Sequence, residues 1–162
     1  MEILLAVLTM ILMPQFIPDE MIEKVSFAEL PEVCAAAYDP FQRKEREAVN
    51  TDVIRFDFDG DSKKELIVWN GDSGSGGEGW VIFKELKPGK WTRIGEVFGL
   101  LSLVKHQMHN GLLVCSPNGW DSAKWQFYEL EREKLVCRYE VSVKYRKPIR
   151  EKPESLSIKI LP

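Results

Sequence analysis

The chain reads as a mainly β (α+β) protein, an antiparallel sheet or sandwich of two related β units with a short helical region on its N-terminal side. Three observations predict this. From Asp52 onward, β-branched and aromatic runs alternate with turns rich in Gly, Pro, Asn and Ser. In one late run Tyr139, Val141, Val143 and Tyr145 alternate with Glu140, Ser142 and Lys144, the pattern of a sheet buried on one face. Two stretches about 45 residues apart also echo each other, close to a β-blade period.

The echo runs through several elements. Leu66-Ile67-Val68 matches Leu112-Leu113-Val114, and Trp80-Val81-Ile82-Phe83 matches Trp125-Gln126-Phe127-Tyr128. Glu85-Leu86 matches Glu129-Leu130, and Lys90-Trp91 matches Lys134-Leu135. Two such units cannot close a propeller, which needs at least about four blades. A compact sheet or sandwich is therefore expected.

The sequence divides into residues 1–17, a hydrophobic leader; 18–50, a helical N-terminal region; and 51–162, the β domain. Ile3 to Met13 is apolar apart from Thr9. That is too short to span a bilayer and matches the apolar part of a secretory signal peptide, although Glu2 stands where a positive charge is usual. A buried N-terminal element and an uncleaved membrane anchor are the alternatives. Asp19 is placed to cap a short helix containing Met21, Ile22 and Val25, and Pro31 suits the first turn of a second helical piece ending at Ala37. The charged stretch from Phe41 to Val49 reads as an exposed connection.

In the β domain, strands are expected at Trp80–Glu85, Trp91–Val97, Leu112–Cys115, Lys124–Leu130 and Leu135–Tyr145. Lys87-Pro88-Gly89-Lys90 and Glu131-Arg132-Glu133-Lys134 are their hairpin turns, and Gly71 to Gly79 is a loop. Beyond Tyr145 the basic residues Arg146, Lys147, Arg150 and Lys152 read as a solvated tail or edge strand. The 162 residues suffice for one domain with a real core, and a net charge of −3 gives no sign of a nucleic-acid binder.

The most informative segment is Asp57-Phe58-Asp59-Gly60-Asp61-Ser62-Lys63-Lys64-Glu65. Carboxylates crowded into one turn repel each other unless a cation or water shields them. A hard cation with oxygen ligands resolves the conflict, and Ca²⁺ suits a flexible acidic loop. Asp57, Asp59 and Asp61 would give side-chain oxygens, Lys63 its backbone carbonyl, and Glu65 would close the sphere. Helix-flanked calcium hands need glycine at position six and glutamate at position twelve, where this chain has Ser62 and Val68. The flanks Ile54–Phe58 and Leu66–Trp69 instead read as strands.

The pattern Asp57-x-Asp59-Gly60-Asp61-x-x-x-Glu65-Leu66-x-Val68 resembles the calcium loop of FG-GAP and VCBS-type repeats, over residues 53 to 69. The resemblance implies a calcium-rigidified β-hairpin unit of a secreted protein. The family usually has glycine where Ser62 stands and aspartate where Glu65 stands; both departures keep the oxygen donors. In the second unit the equivalent segment is His106-Gln107-Met108-His109-Asn110-Gly111, which lacks the acids.

Other strings carry less. Gly71-Asp72-Ser73-Gly74 resembles the nucleophile segment of chymotrypsin-like proteases, but His106 and His109 follow the serine instead of preceding it. Gly74-Ser75-Gly76-Gly77-Glu78-Gly79 fits a dinucleotide-binding pattern, yet a strand follows it, so no helix N-terminus faces a phosphate. His106 and His109 have no third metal ligand nearby in sequence. Cys34, Cys115 and Cys137 are too far apart for a zinc ribbon; Cys115 and Cys137 would pair only from neighbouring strands. Trp120 in a polar turn reads as turn packing, with stacking on a sugar or partner as the alternative.

The functional expectation is a secreted or envelope-associated, non-enzymatic module with a structural calcium loop, recognising a protein or glycan. Contact with a membrane would run only through an uncleaved leader. The alternatives are a small hydrolase using Asp57, Asp61, Asp72 and Glu78, and an envelope protein that inhibits an enzyme.

Overall fold

The structure, a computed structural model, describes residues 7–9, 16–36, 50–106, 109–119, 121–145 and 153–161. Among the described residues, nine strands form one open antiparallel sheet in which each pairs with its neighbours in sequence. They are β1 (Glu23–Ser26), β2 (Asn50–Phe56), β3 (Glu65–Gly74), β4 (Gly77–Lys87), β5 (Lys90–His106), β6 (His109–Pro117), β7 (Ser122–Glu131), β8 (Lys134–Tyr145) and β9 (Pro153–Ile160). Helical content among the described residues is small: one turn at residues 7–9, 3₁₀ turns at Asp19–Met21 and Phe27–Glu29, and the α-helix Glu32–Ala36. Among the described residues no helix is long and apolar enough to cross a membrane.

The mainly β expectation holds, and the echo in the sequence is an echo in hydrogen-bond register. Leu66, Ile67 and Val68 pair with Phe83, Ile82 and Val81. Leu112, Leu113 and Val114 pair with Tyr128, Phe127 and Gln126 in the same order. The following strand pair is irregular at matching places, between Ile82 and Phe83 in β4 and between Phe127 and Tyr128 in β7. A bulge adds local twist, so both units bend at the same point.

β5 joins the two units. Its first part, Lys90 to Gly99, pairs with β4, and its second, Leu100 to His106, pairs with β6. The switch occurs at Gly99, which has φ +153°. A Cβ there would lie 2.5 Å from the Cys115 carbonyl oxygen, so only glycine lets β5 pass this close to β6.

Three buried clusters follow from strand alternation. One draws on both units: Ile54, Phe56, Ile67, Trp80 and Ile82 meet Leu101, Leu112 and Val114. The sheet therefore turns one face of each unit toward a common core. The other face of the first unit buries Val53, Leu66, Val68, Val81 and Phe83 under Leu30 and Cys34, on and just before the α-helix. The other face of the second unit buries Leu113, Trp125, Phe127, Val141 and Val143 together with Val7. Fully burying side chains of this size stabilises the fold by roughly 1.5–3 kcal/mol each.

Several boundaries differ from the sequence expectation. The helix expected around Met21, Ile22 and Val25 is a single 3₁₀ turn followed by strand β1. Asp19 lies inside that turn, and Pro18 holds the cap position without a side-chain bond. β1 is recruited by β2, and its polar residues serve that pairing: Glu23 bonds Arg55 and Lys24 pairs with Asp52. The Gly71–Gly79 loop is instead the tip of the β3–β4 hairpin, with Ser73 opposite Glu78 and Gly74 opposite Gly77. The C-terminal segment supplies an edge strand, β9. Cys115 on β6 and Cys137 on β8 are separated by β7, and all three cysteines are free thiols. The expected connection Phe41–Val49 and the basic residues 146–152 lie outside the described residues.

Gly99→Ala is expected to cost about 1–3 kcal/mol, the range for a residue forced into a sparsely populated backbone conformation. Urea unfolding checks this. A loss below about 0.5 kcal/mol would remove Gly99 as the constraint at the junction.

Candidate cation-binding corner

The acidic segment is the connection between β2 and β3. Phe56 and Glu65 form the last pair of that ladder, and the chain reverses between them. Phe58 anchors the bend: its ring is buried and lies 5.0 Å from that of Phe56 in an edge-on arrangement. Gly60 and Ser62 both have positive φ, +75° and +69°. Sterics do not demand glycine at position 60, because a Cβ there meets nothing within 4 Å; the backbone conformation demands it. Ser62 accepts the same left-handed geometry with a side chain attached, at the position where the resembling family has glycine.

Backbone N–H groups hold most of the acids. Asp57 accepts from the Gly60 and Ser62 amides at 2.7 and 3.1 Å. Asp59 accepts from the Asp61 amide at 3.3 Å, and Asp61 from the Lys63 amide at 2.8 Å. Glu65 turns inward and accepts from the Phe58 amide at 2.8 Å.

The remaining bonds come from a residue that sequence reading did not assign to the site. Lys84, on β4, places its Nζ 2.7 Å from Asp59 Oδ2, 2.8 Å from Glu65 Oε1 and 3.4 Å from Asp61 Oδ2. An ammonium has three N–H donors, so all three are used. Every oxygen of the four carboxylates thus has a donor, five from backbone amides and three from Lys84. A cation of the chain's own thus stands inside this bend.

Hairpin register places it there. Leu66 stands opposite Phe83, so one step further along the ladder Glu65 and Lys84 become cross-strand neighbours. Counting back from the hairpin tip does not find this pair, because the register shifts between Trp69 and Ser73. Both side chains are buried, Glu65 almost completely. Burial works to lower the Lys84 pKa, but its bonds to Asp59 and Glu65 and their charges outweigh burial and raise it. Burial raises the Glu65 pKa, with Lys84 and the Phe58 amide opposing that rise. The Asp61 pKa is lowered, first by the bond from the Lys63 amide, with the Lys84 charge and hydrogen bond adding to it.

Lys84, Lys63 and Lys64 against four carboxylates leave the corner with a single net negative charge. On the outer side, Asp57, Asp59 and Asp61 each bring an oxygen to within 4.8 Å of the others, a group that could hold a metal ion. Two ligands on opposite sides of a cation that binds oxygen at about 2.3–2.6 Å stand about 5 Å apart, so the spacing fits. Glu65 is outside this group, committed to Lys84 and the Phe58 amide. Lys63 contributes its N–H to Asp61.

The corner also contacts the second unit. Asn110 on β6 donates from Nδ2 to the Asp57 carbonyl at 2.7 Å, and the Lys105 Nζ lies 5.5 Å from the Phe56 ring centroid. Asn110 belongs to the segment that replaces the acidic loop in the second unit, so the two equivalent segments meet. Of the other proposed acids, Asp72 and Glu78 stand exposed in the β3–β4 hairpin. Trp120 and the side chains of His106 and His109 lie outside the described residues. Compared with known proteins, the chain matches no family model, no curated protein and no solved structure.

Two outcomes follow from this geometry. Lys84→Met leaves Glu65 buried without its partner and is expected to cost about 3–5 kcal/mol, while adding Glu65→Gln to it recovers a large part. Equal stability of the single and double variants by urea unfolding would contradict the pairing. The pH dependence has a definite sign. Lys84 has a raised folded pKa, so its contribution is full below the unfolded value of about 10.4 and is lost as pH rises through the folded value. The stability gap between the parent protein and Lys84→Met should therefore narrow above about pH 10. Separately, Ser62→Gly is expected to stabilise by about 1 kcal/mol by relieving the left-handed backbone.

Proposed function

We propose that this chain is a secreted or envelope-associated, non-enzymatic β module of the FG-GAP/VCBS kind, in which a calcium ion braces the β2–β3 corner and the surrounding loops recognise a protein or glycan. The observation that carries the reading is the outer group of Asp57, Asp59 and Asp61 oxygens, within 4.8 Å of one another. Net negative charge survives there after Lys84 has made its three bonds. Calcium adds to the internal ammonium on this reading and does not replace it. The aspartates keep their amide bonds, because a carboxylate oxygen has a second lone pair for the ion. The remaining ligands would be water. The ion's role is structural: it ties Asp57 to Asp59 and Asp61, which Lys84 already holds together with Glu65. An exported location suits a weak site, since extracellular calcium modules work in the range of about 10⁻⁴–10⁻³ M.

The test separates the ion from the lysine. With free calcium about tenfold above its dissociation constant, binding adds roughly 1.4 kcal/mol, which raises the melting temperature by about 3–6 °C. Asp57→Asn is the informative variant, because Asp57 makes no bond to Lys84 and the change leaves the inner network intact. It should abolish the calcium response while the chelated protein keeps most of its stability. Identical melting curves in millimolar calcium and in chelator, with no calcium retained on metal analysis, would refute the calcium reading.

A further inference from the structure

The apolar face of the second unit is built from Leu113 and Cys115 on β6, Ala123, Trp125 and Phe127 on β7, and Val141 and Val143 on β8. Val104 of β5 completes it, and Tyr139 packs at its margin. Trp125 and Phe127 are among the largest fully buried side chains in the protein. What covers them comes from the other end of the chain. Val7, in the helical turn at residues 7–9, is fully buried inside this cluster, and Leu8 packs against it. Phe16 stacks on Trp125, with ring centroids 6.3 Å apart and planes 10° from parallel. The Ile17 amide donates to the Leu101 carbonyl at 3.1 Å, tying the segment to β5 just where β5 enters the second unit. Ser102, on the same side of β5 as Val104, is fully buried, and its hydroxyl has no hydrogen-bond partner among the described residues.

We infer that this face is an acceptor for a short apolar peptide, and that its occupant is the chain's own segment around Val7. The contacts are those of a ligand on a surface. The buried described residues clustered with Val7 come from β5 to β8, the Phe16 ring stacks on the buried Trp125, and one backbone hydrogen bond from Ile17 fixes the direction of approach. None of the strand pairing in the second unit involves this segment, so the sheet defines the acceptor without it. An apolar patch of this kind, once uncovered, binds another apolar group or associates with its neighbours. Val7 and Leu8 thus have a role in the folded molecule: in place they seal the second unit, and their removal opens a site for a peptide of the same character. The inference is independent of the calcium reading, because no residue of the acidic corner takes part.

The experiment keeps the full chain during folding. A specific protease site is introduced between Pro18 and Asp19, the protein is folded, cut and passed through gel filtration in the presence and absence of calcium. The expected result is that the fragment 1–18 stays with the body after cutting. In the same protein carrying Val7→Asp it is released at least about tenfold faster, with a red shift of tryptophan emission and increased binding of an apolar dye. Adding back a synthetic peptide of residues 1–18 should reverse both signals, and the Val7→Asp peptide should not. If the parent fragment leaves on cutting with no change in emission or dye binding, the acceptor face does not exist and the inference is overturned. The same holds if both fragments are retained equally. Should the Val7→Asp chain fail to fold, cutting the parent and competing its fragment off with parent and Val7→Asp peptides gives the same discrimination.

Discussion

The buried bond between Lys84 and Glu65 is the constraint around which the acidic corner is organised. A carboxylate that is almost wholly removed from water is tolerable only with a partner, and the partner must itself be held in place. The β3–β4 register provides the holding, since it sets the two residues side by side across adjacent strands. Once the ammonium is there, Asp59 and Asp61 gather on it, and the loop amides satisfy what remains. The backbone follows the charges: Gly60 and Ser62 take left-handed conformations so that their amides can point at Asp57.

The position of this corner matters because it lies where the two units meet. Asn110 bonds the Asp57 carbonyl, and Phe56 and Phe58 enter the cluster shared with Leu101, Leu112 and Val114. The corner therefore acts on the packing of both units, while the shared cluster fixes the corner's inner wall. Repetition of register and bulge position gives the units the same bend, and Gly99 lets one long strand serve both. The two halves differ at the loops. One has four acids and an internal cation; the other contributes an asparagine that supports the first.

Much of the architecture was legible in sequence, and the misses have physical reasons. Alternation in residues 139–144 and the paired turns at Pro88-Gly89 and Arg132-Glu133 marked strands and hairpins, because a half-buried sheet imposes a period of two. The β strand Glu23–Ser26 was hidden because it holds one apolar residue and is stabilised through cross-strand charges that local pattern does not reveal. The 17-residue length of β5 was hidden by Gly95 and Gly99, which look like breakers and are instead close-approach points against Leu135 and Cys115. Asp57, Asp59 and Asp61 were readable as a group, since their spacing alone brings them together. The Glu65–Lys84 pair is not visible in local pattern. Both residues lie on strands, and the register shift between Trp69 and Ser73 breaks the count from the hairpin tip, so their meeting is a property of the folded ladder.

The most direct test of the account is the side-chain ammonium of Lys84 in calcium-free protein, observed by ¹⁵N NMR in the presence of chelator. Three simultaneous hydrogen bonds in a buried site predict a distinct, slowly exchanging NH₃⁺ signal that persists to alkaline pH and disappears in Lys84→Met. A rapidly exchanging Lys84 with the titration of an ordinary surface lysine would contradict the account, and would leave the acidic bend in need of a bound metal to hold it together.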